Sequence, residues 1–136
     1  MRNVVVVTII IACLAVAYYF GVVLPKTLDF AMQEKCAKHA QEYFNKQGFL
    51  PAQGSYVNYE CHHNKRLNKC FILISTTDYL DDRKTRAETR TLTDINSNKV
   101  YGTYSGQNSQ YEVWMIDNKM CSSNGWYTRV KFYMEE

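Results

Sequence analysis

Two cysteines, two histidines and three basic residues lie within one short stretch, VNYECHHNKRLNKC, residues 57–70. These residue types could form a zinc site, a Cys-His nucleophile, a basic docking surface or a disulfide-linked hairpin. Zinc ligands must converge on one ion, whereas adjacent strand residues such as Cys61 and His62 point to opposite faces. The stretch also lacks CxxC and HxxxH spacing, so we predict neither a metal site nor a cofactor.

A catalytic role for Cys61 would require a reduced thiolate and a base that is oriented by a third group. In an oxidising compartment, neighbouring thiols are usually bonded to each other instead. The sequence contains no nucleophile elbow, no phosphate-binding glycine loop and no paired carboxylates in a catalytic pattern. We therefore predict a protein without catalytic residues.

Disulfide bonds are the most economical role for the four cysteines that follow the N-terminal region, Cys36, Cys61, Cys70 and Cys121. A hairpin with a loop over residues 64–67 would place Cys61 opposite Cys70, at a distance that a disulfide can bridge. Cys36 and Cys121 would then form the second bond. Four cysteines allow three pairings, and the sequence does not exclude the other two.

The same stretch supplies a candidate partner surface in or beside the predicted turn, consisting of His62, His63, Lys65, Arg66 and Lys69. Three basic side chains could contact lipid headgroups or an acidic partner, although such residues more often form a solvated loop. All 13 acidic residues and every basic residue except Arg2 follow residue 24. Because these charges nearly balance, we predict no binding to nucleic acid.

An uncharged 21-residue run begins at Val4 and ends at Leu24. About 20 apolar residues are enough for a helix to cross a bilayer. We therefore predict a membrane anchor over residues 1–24 and one domain over residues 25–136. Lipidation at Cys13 and cleavage after Ala17 are the alternatives, and both would leave an unusually apolar new N-terminus.

The distribution of the cysteines indicates the orientation of the anchor. Basic residues near the run give only a weak signal, because Arg2 precedes it while Lys26 and Lys35 follow it. An even number of cysteines in a small domain is typical of an oxidising compartment. We predict a single-pass cell-membrane protein with a cytoplasmic N-terminus and residues 25–136 outside the cytoplasm.

Hydrophobic spacing predicts an amphipathic helix from Thr27 to Gln47. Pro25 would separate this helix from the span. Thr27 would cap its N-terminus, and Gly48 would end it. Its predicted buried stripe comprises Met32, Cys36, Ala40, Tyr43 and Phe44.

The rest of the chain predicts an antiparallel sheet and a final helix. Strand patterns occur in SYVNYE and CFILIST, in a second hairpin around the turn NSNK, and in YEVWMI, whereas the mixed charges of residues 77–90 predict a loop or a short surface helix. A helix follows a cap at Ser122 or Ser123. The predicted fold is α+β, with a transmembrane helix, an amphipathic helix, a sheet of about four to five strands and a C-terminal helix.

Two segments, YECHHNKRLNKCFILI and CSSNGWYTRVKFYME, resemble small bacterial envelope proteins that share a tyrosine-rich strand, an HxN turn and an LNKCF motif. The group has no established activity, so the resemblance implies an envelope location and this type of fold.

These observations predict a membrane-tethered, non-enzymatic module that binds a protein partner in the envelope or has a structural role. A pilin-like assembly subunit is the first alternative, because an apolar helix that leads into an amphipathic helix and a sheet is the layout of that family. The sequence lacks a GFTLIE-type junction and a glutamate inside the span. A Cys/His metal-binding envelope protein is the second alternative.

Overall fold

The computed structural model describes residues 2–48, 55–79, 85–108 and 111–135. The chain divides into two compact units, Met1–Glu34 and Lys35–Glu136.

The first unit is helical throughout its described residues. Helix α1 spans Arg2–Tyr18, a π-helical turn spans Tyr19–Val23, and α2 spans Leu24–Lys46, of which the N-terminal part belongs to this unit. The helical segment Val5–Lys46 has a window of mean hydropathy 2.5, none of which is buried. The segment is long and apolar enough to cross a membrane, as a single-pass membrane protein requires.

Pro25 does not end the helix, contrary to the prediction. Proline lacks a backbone N–H, and its ring clashes with the carbonyl four residues earlier, which here belongs to Gly21. Gly21 lies in the π-helical turn Tyr19–Val23, where the Leu24 N–H bonds to the Tyr19 carbonyl oxygen five residues earlier. Pro25 therefore follows a point at which the regular α-helical hydrogen bonds are already interrupted. Thr27 is therefore inside the helix, where its hydroxyl donates to the Leu24 carbonyl oxygen at 2.8 Å and does not cap the N-terminus.

In the second unit, α2 places one face against the sheet. Four members of the predicted stripe are buried or half-buried, namely Cys36, Ala40, Tyr43 and Phe44. Met32, which belongs to the first unit, is 38% exposed. Gly48 follows the helix with φ 66°, the left-handed conformation that favours glycine.

Six strands form one antiparallel sheet in which each strand pairs with its neighbours in sequence. The strands are β1 Ser55–Asn64, β2 Lys69–Tyr79, β3 Arg86–Asp94, β4 Lys99–Gln107, β5 Tyr111–Ile116 and β6 Lys119–Met120. The α+β fold is confirmed, with slightly more strands than predicted. The two-residue β6 is too short to give a strand pattern in the sequence.

The mixed-charge stretch over residues 77–90 contains the end of β2 and the start of β3, where we predicted a loop or helix. Glu88 lies on the same face of β3 as Arg86 and Arg90, with nitrogen to oxygen distances of 3.1 and 2.6 Å. This alternation pairs the charges along one face, so they are compatible with a strand. Residues 80–84 of this stretch lie outside the described residues.

Three tight turns lie at the same end of the sheet because the strands form a meander. Asn68, with φ 49°, ends the β1–β2 turn, and Asn98, with φ 55°, ends the β3–β4 turn. Asp117 and Asn118, with φ 47° and 61°, form the β5–β6 turn. Asn and Asp adopt positive φ more readily than other residues with a side chain, which explains their presence at these positions.

The sheet separates two hydrophobic cores. On one face, α2 packs against Ile72 and Ile74 of β2, with Ala40 at the centre. On the other face, α3 packs against a larger and more aromatic cluster. Its buried members are Phe71, Leu92, Tyr104, Trp114, Ile116, Trp126, Val130 and Tyr133.

Helix α3, Ser123–Glu135, starts where the sequence predicts. The Ser122 hydroxyl accepts the backbone N–H of Gly125 at 3.2 Å, which is the geometry of an N-cap. Near the other end of α3, the side-chain amide of Asn64 donates to the carbonyl oxygen of Phe132 at 2.9 Å. Both ends of α3 are therefore held by polar side chains.

Candidate binding surfaces

A disulfide joins Cys36 of α2 to Cys70 of β2, with the two Cα atoms 5.5 Å apart. It links α2 to the sheet across 34 residues of sequence. The predicted pairs, Cys61 with Cys70 and Cys36 with Cys121, are therefore wrong.

The position of the β1–β2 turn explains why the predicted hairpin disulfide does not form. We predicted a loop over residues 64–67, but the turn covers residues 65–68. The Asn64 side-chain oxygen accepts the Leu67 N–H at 2.9 Å, and Asn68 ends the turn in the left-handed conformation. These two asparagines move the turn by one residue and change the register of the whole hairpin.

Cys61 and Cys121 lie outside this disulfide. In the observed register, Cys61 faces Ile72 and packs against the cluster beneath α2, and burial raises the pKa of its thiol. Cys121 packs against the cluster beneath α3 and lines a surface cavity of about 330 Å³. The cavity is also lined by Ile116, Asp117, Lys119, Met120, Gly125 and Arg129.

Both histidines lie in β1, whereas we predicted that they lie in or beside the turn. His63 is only 9% exposed and faces Cys70, and its Nε2 is 3.3 Å from Oδ1 of Asn68. His62 is half-buried and lies on the opposite face. Burial, together with the charges of His63 and Lys65, lowers the pKa of His62.

Lys65 and Arg66 are exposed in the β1–β2 turn, and the guanidinium of Arg66 lies 5.4 Å from the centroid of the Phe132 ring. The five residues of the predicted partner surface are thus distributed over both faces of the sheet and the turn. They do not form one continuous patch, because His62 and His63 are adjacent residues of a strand.

Lys69 belongs to a hydrogen-bonded group that links the first two hairpins. Its Nζ lies 2.9 Å from the Asp94 carboxylate and donates to the Tyr101 hydroxyl at 2.7 Å. The hydrogen bond to Tyr101 and, as the second contribution, the hydrogen bond to Asp94 raise the pKa of Lys69. Burial would raise the pKa of Asp94, but hydrogen bonds from Lys69, Ser97 and the Asn96 N–H hold it below its usual value. This arrangement indicates a structural role for Lys69.

Within the described ranges, no three His, Cys, Asp or Glu side chains converge in the way that metal ligands do. Cys70 is bonded to Cys36 and does not offer a thiolate. The geometry therefore gives the metal-binding alternative no ligand set in this part of the chain.

Sequence reasoning missed an open part of the sheet on the face that also carries α2. Register pairs place Ile74, Thr91, Thr103 and Met115 in one row across β2 to β5. Ile74 lies beneath α2, whereas the members of this row on β3 to β5 are half-buried and lie beyond the cluster that α2 covers. A second row adds Thr89, Ser105 and Val113. We call the six residues of β3 to β5 the open half-face: Thr89, Thr91, Thr103, Ser105, Val113 and Met115.

None of the six residues in the open half-face is charged. Thr89 and Ser105 are exposed, and Val113 is 43% exposed. The charged residues of the same strands, such as Glu88 and Arg90, point to the other face, because alternate strand residues face opposite sides. This surface is therefore hydroxyl-bearing and aliphatic within a chain of which 21% is charged.

Alternation by two along β3 was the sequence signal for this surface. Thr89, Thr91 and Thr93 alternate with Glu88, Arg90 and other residues of the opposite face. The second hairpin was predicted from its strand pattern, but the surface was missed because its rows combine residues from three strands.

No protein-family model matches the chain, and neither the curated proteins nor the solved structures include one significantly similar to it.

Proposed function

We propose that the protein is a single-pass membrane protein that holds its second unit outside the cytoplasm as a non-enzymatic binding module. The apolar helical segment supports the membrane location. The Cys36–Cys70 disulfide supports an oxidising compartment, and thus a cytoplasmic N-terminus. The resemblance to small bacterial envelope proteins supports a bacterial envelope, in which the second unit would lie in the periplasm.

The open half-face is the observation that carries the binding function. Charged residues are depleted at the core of protein interfaces relative to the rest of the surface, and the open half-face has this composition. The patch spans three neighbouring strands, so its backbone is rigid. A rigid, uncharged surface loses little conformational entropy when a partner covers it, which favours binding.

Site-specific photocrosslinking of the full chain in its native membranes tests this function. A photoreactive residue at Thr103 or Ser105 should give adducts of discrete mass. The same residue at Asn124, which is exposed on α3 on the opposite side of the sheet, should not. Adducts of equal yield at all three positions, or at none, would contradict the proposed surface.

The membrane orientation requires its own test. A reporter that is active only outside the cytoplasm, fused after Glu136, should be active if the second unit is exported. Activity of a cytoplasm-specific reporter at the same position would contradict the proposed location.

A pilin-like assembly subunit is the second candidate function. The observation that favours it is the helical segment Val5–Lys46, which continues from an apolar N-terminal part into a helix that packs on an antiparallel sheet. In that case, electron microscopy of sheared cell surfaces should detect filaments that contain the protein.

A further inference from the structure

We propose that the occupant of the open half-face is a second copy of the same chain, packed sheet against sheet about a twofold axis. This inference rests on the proposed binding function and identifies the partner.

The absence of charge favours a second copy. In a twofold contact, a surface patch meets its own copy, so every charged residue near the axis lies close to an identical charge. Like charges that face each other in this way disfavour association. Thr91, Thr103 and Met115, which form the central row of the open half-face, carry no charge and meet their copies without this repulsion.

The thickness of the layer that α2 forms on the sheet also fits a second sheet. A helix packed on a sheet and a sheet packed on a sheet both form a layer about 10 Å thick. The α2 residues that pack on β1 and β2 therefore form a wall beside the open half-face. A second sheet placed on β3 to β5 would lie level with this wall and fill the same layer.

The size of the patch indicates that the contact alone is weak. Three strands about 4.8 Å apart and three residues of about 3.4 Å each give a patch of roughly 150 Å². Stable soluble complexes bury about 800 Å² on each partner, so this contact should be weak in solution. Copies that share one membrane have a high effective concentration, which would increase their pairing.

Oppositely charged variants at the centre of the patch test the proposal. Full-length chains with a donor or an acceptor fluorescent protein fused after Glu136 are reconstituted together in phosphatidylcholine vesicles. Thr103→Glu paired with itself, or Thr103→Lys paired with itself, should reduce energy transfer by roughly threefold, because like charges meet. A mixture of the Glu donor and the Lys acceptor should restore it, which also shows that both variants fold.

Asn124→Glu and Asn124→Lys on α3 are the matched controls and should leave the energy transfer unchanged. Equal energy transfer in every Thr103 combination would overturn pairing between copies. Photocrosslinks from Thr103 to a different protein, together with that result, would overturn the second copy and retain the binding function. Crosslinks that do not depend on position would contradict both.

Discussion

Cys36 of α2 is bonded to Cys70 at the start of β2, directly opposite the buried His63. A bond between a helix and the sheet constrains the second unit more than a bond across a hairpin would, since hairpin strands are already paired. The disulfide also fixes the part of α2 whose Ala40 is fully buried against β2. The position of α2 on the sheet is therefore held by both packing and a covalent bond.

Replacing either bonded cysteine should destabilise the second unit. Cys36→Ser or Cys70→Ser is expected to lower the free energy of unfolding by about 4 kcal/mol, from the entropy of closing a 34-residue loop. The double variant should resemble each single variant because all three lack the same bond. Urea unfolding of the full chain in detergent, followed by tryptophan fluorescence, measures this, with Cys121→Ser as the control. An equal loss in the control would show that thiol burial, and not the bond, is responsible.

The two histidines should differ in their contribution to stability. His63→Ala removes a side chain that is 9% exposed and should cost about 1 to 3 kcal/mol. His62→Ala removes a half-buried side chain and should cost less. The same unfolding experiment compares them. A larger effect of His62→Ala would contradict the burial of His63.

Asp94 should make the second unit sensitive to acid. Its folded pKa is lowered, so its contribution is fully present above the unfolded value near pH 4 and is lost as the pH falls through the folded pKa. Asp94→Asn should cost about 2 to 3 kcal/mol at neutral pH, since it loses the ion pair and weakens hydrogen bonds in the turn.

Urea midpoints measured from pH 7 to pH 2 test this expectation. The difference between the parent and Asp94→Asn should become smaller as the pH falls. A constant difference at every pH would mean that the carboxylate charge does not contribute. Lys131→Gln, which affects an exposed pair on α3, is the control.

Gly102 should not tolerate a side chain. A Cβ there would lie 2.8 Å from Cδ1 of Ile116 and 3.3 Å from Nε1 of Trp126, both of which are buried. Gly102→Ala should therefore lower the free energy of unfolding by about 1 to 3 kcal/mol through overpacking. Gly125→Ala, in the first turn of α3, is the matched control and should have a much smaller effect. Comparable losses of unfolding free energy in the two variants would show that Gly102 is not tightly packed against Ile116 and Trp126.

The fold class, the β3–β4 hairpin and the start of α3 could be predicted because they depend on local patterns. Asn98 marks a turn, YEVWMI has strand composition, and Ser122 is a typical helix cap. The strand β3 was predicted from Thr89 onward, but its first residues, from Arg86, could not be recognised from composition, because their charges are paired only when the chain is extended as a strand.

The disulfide could not be predicted because it depends on two facts that spacing does not reveal. The first is the turn position set by Asn64 and Asn68, which decides which residue faces Cys70. The second is the face on which α2 lies. The open half-face was missed for a similar reason, since its rows combine residues from three strands whose register is set by the whole sheet.

The meander order of the strands has a consequence for biogenesis. Every strand pairs with the next one in sequence, so each hairpin can form as soon as its second strand has been synthesised. Cys36 and Cys70 are both present once β2 is complete, before β3 to β6 and Cys121 have been made. The covalent link between α2 and the sheet can therefore close on a nascent chain, while Cys121 is not yet available as a competing partner.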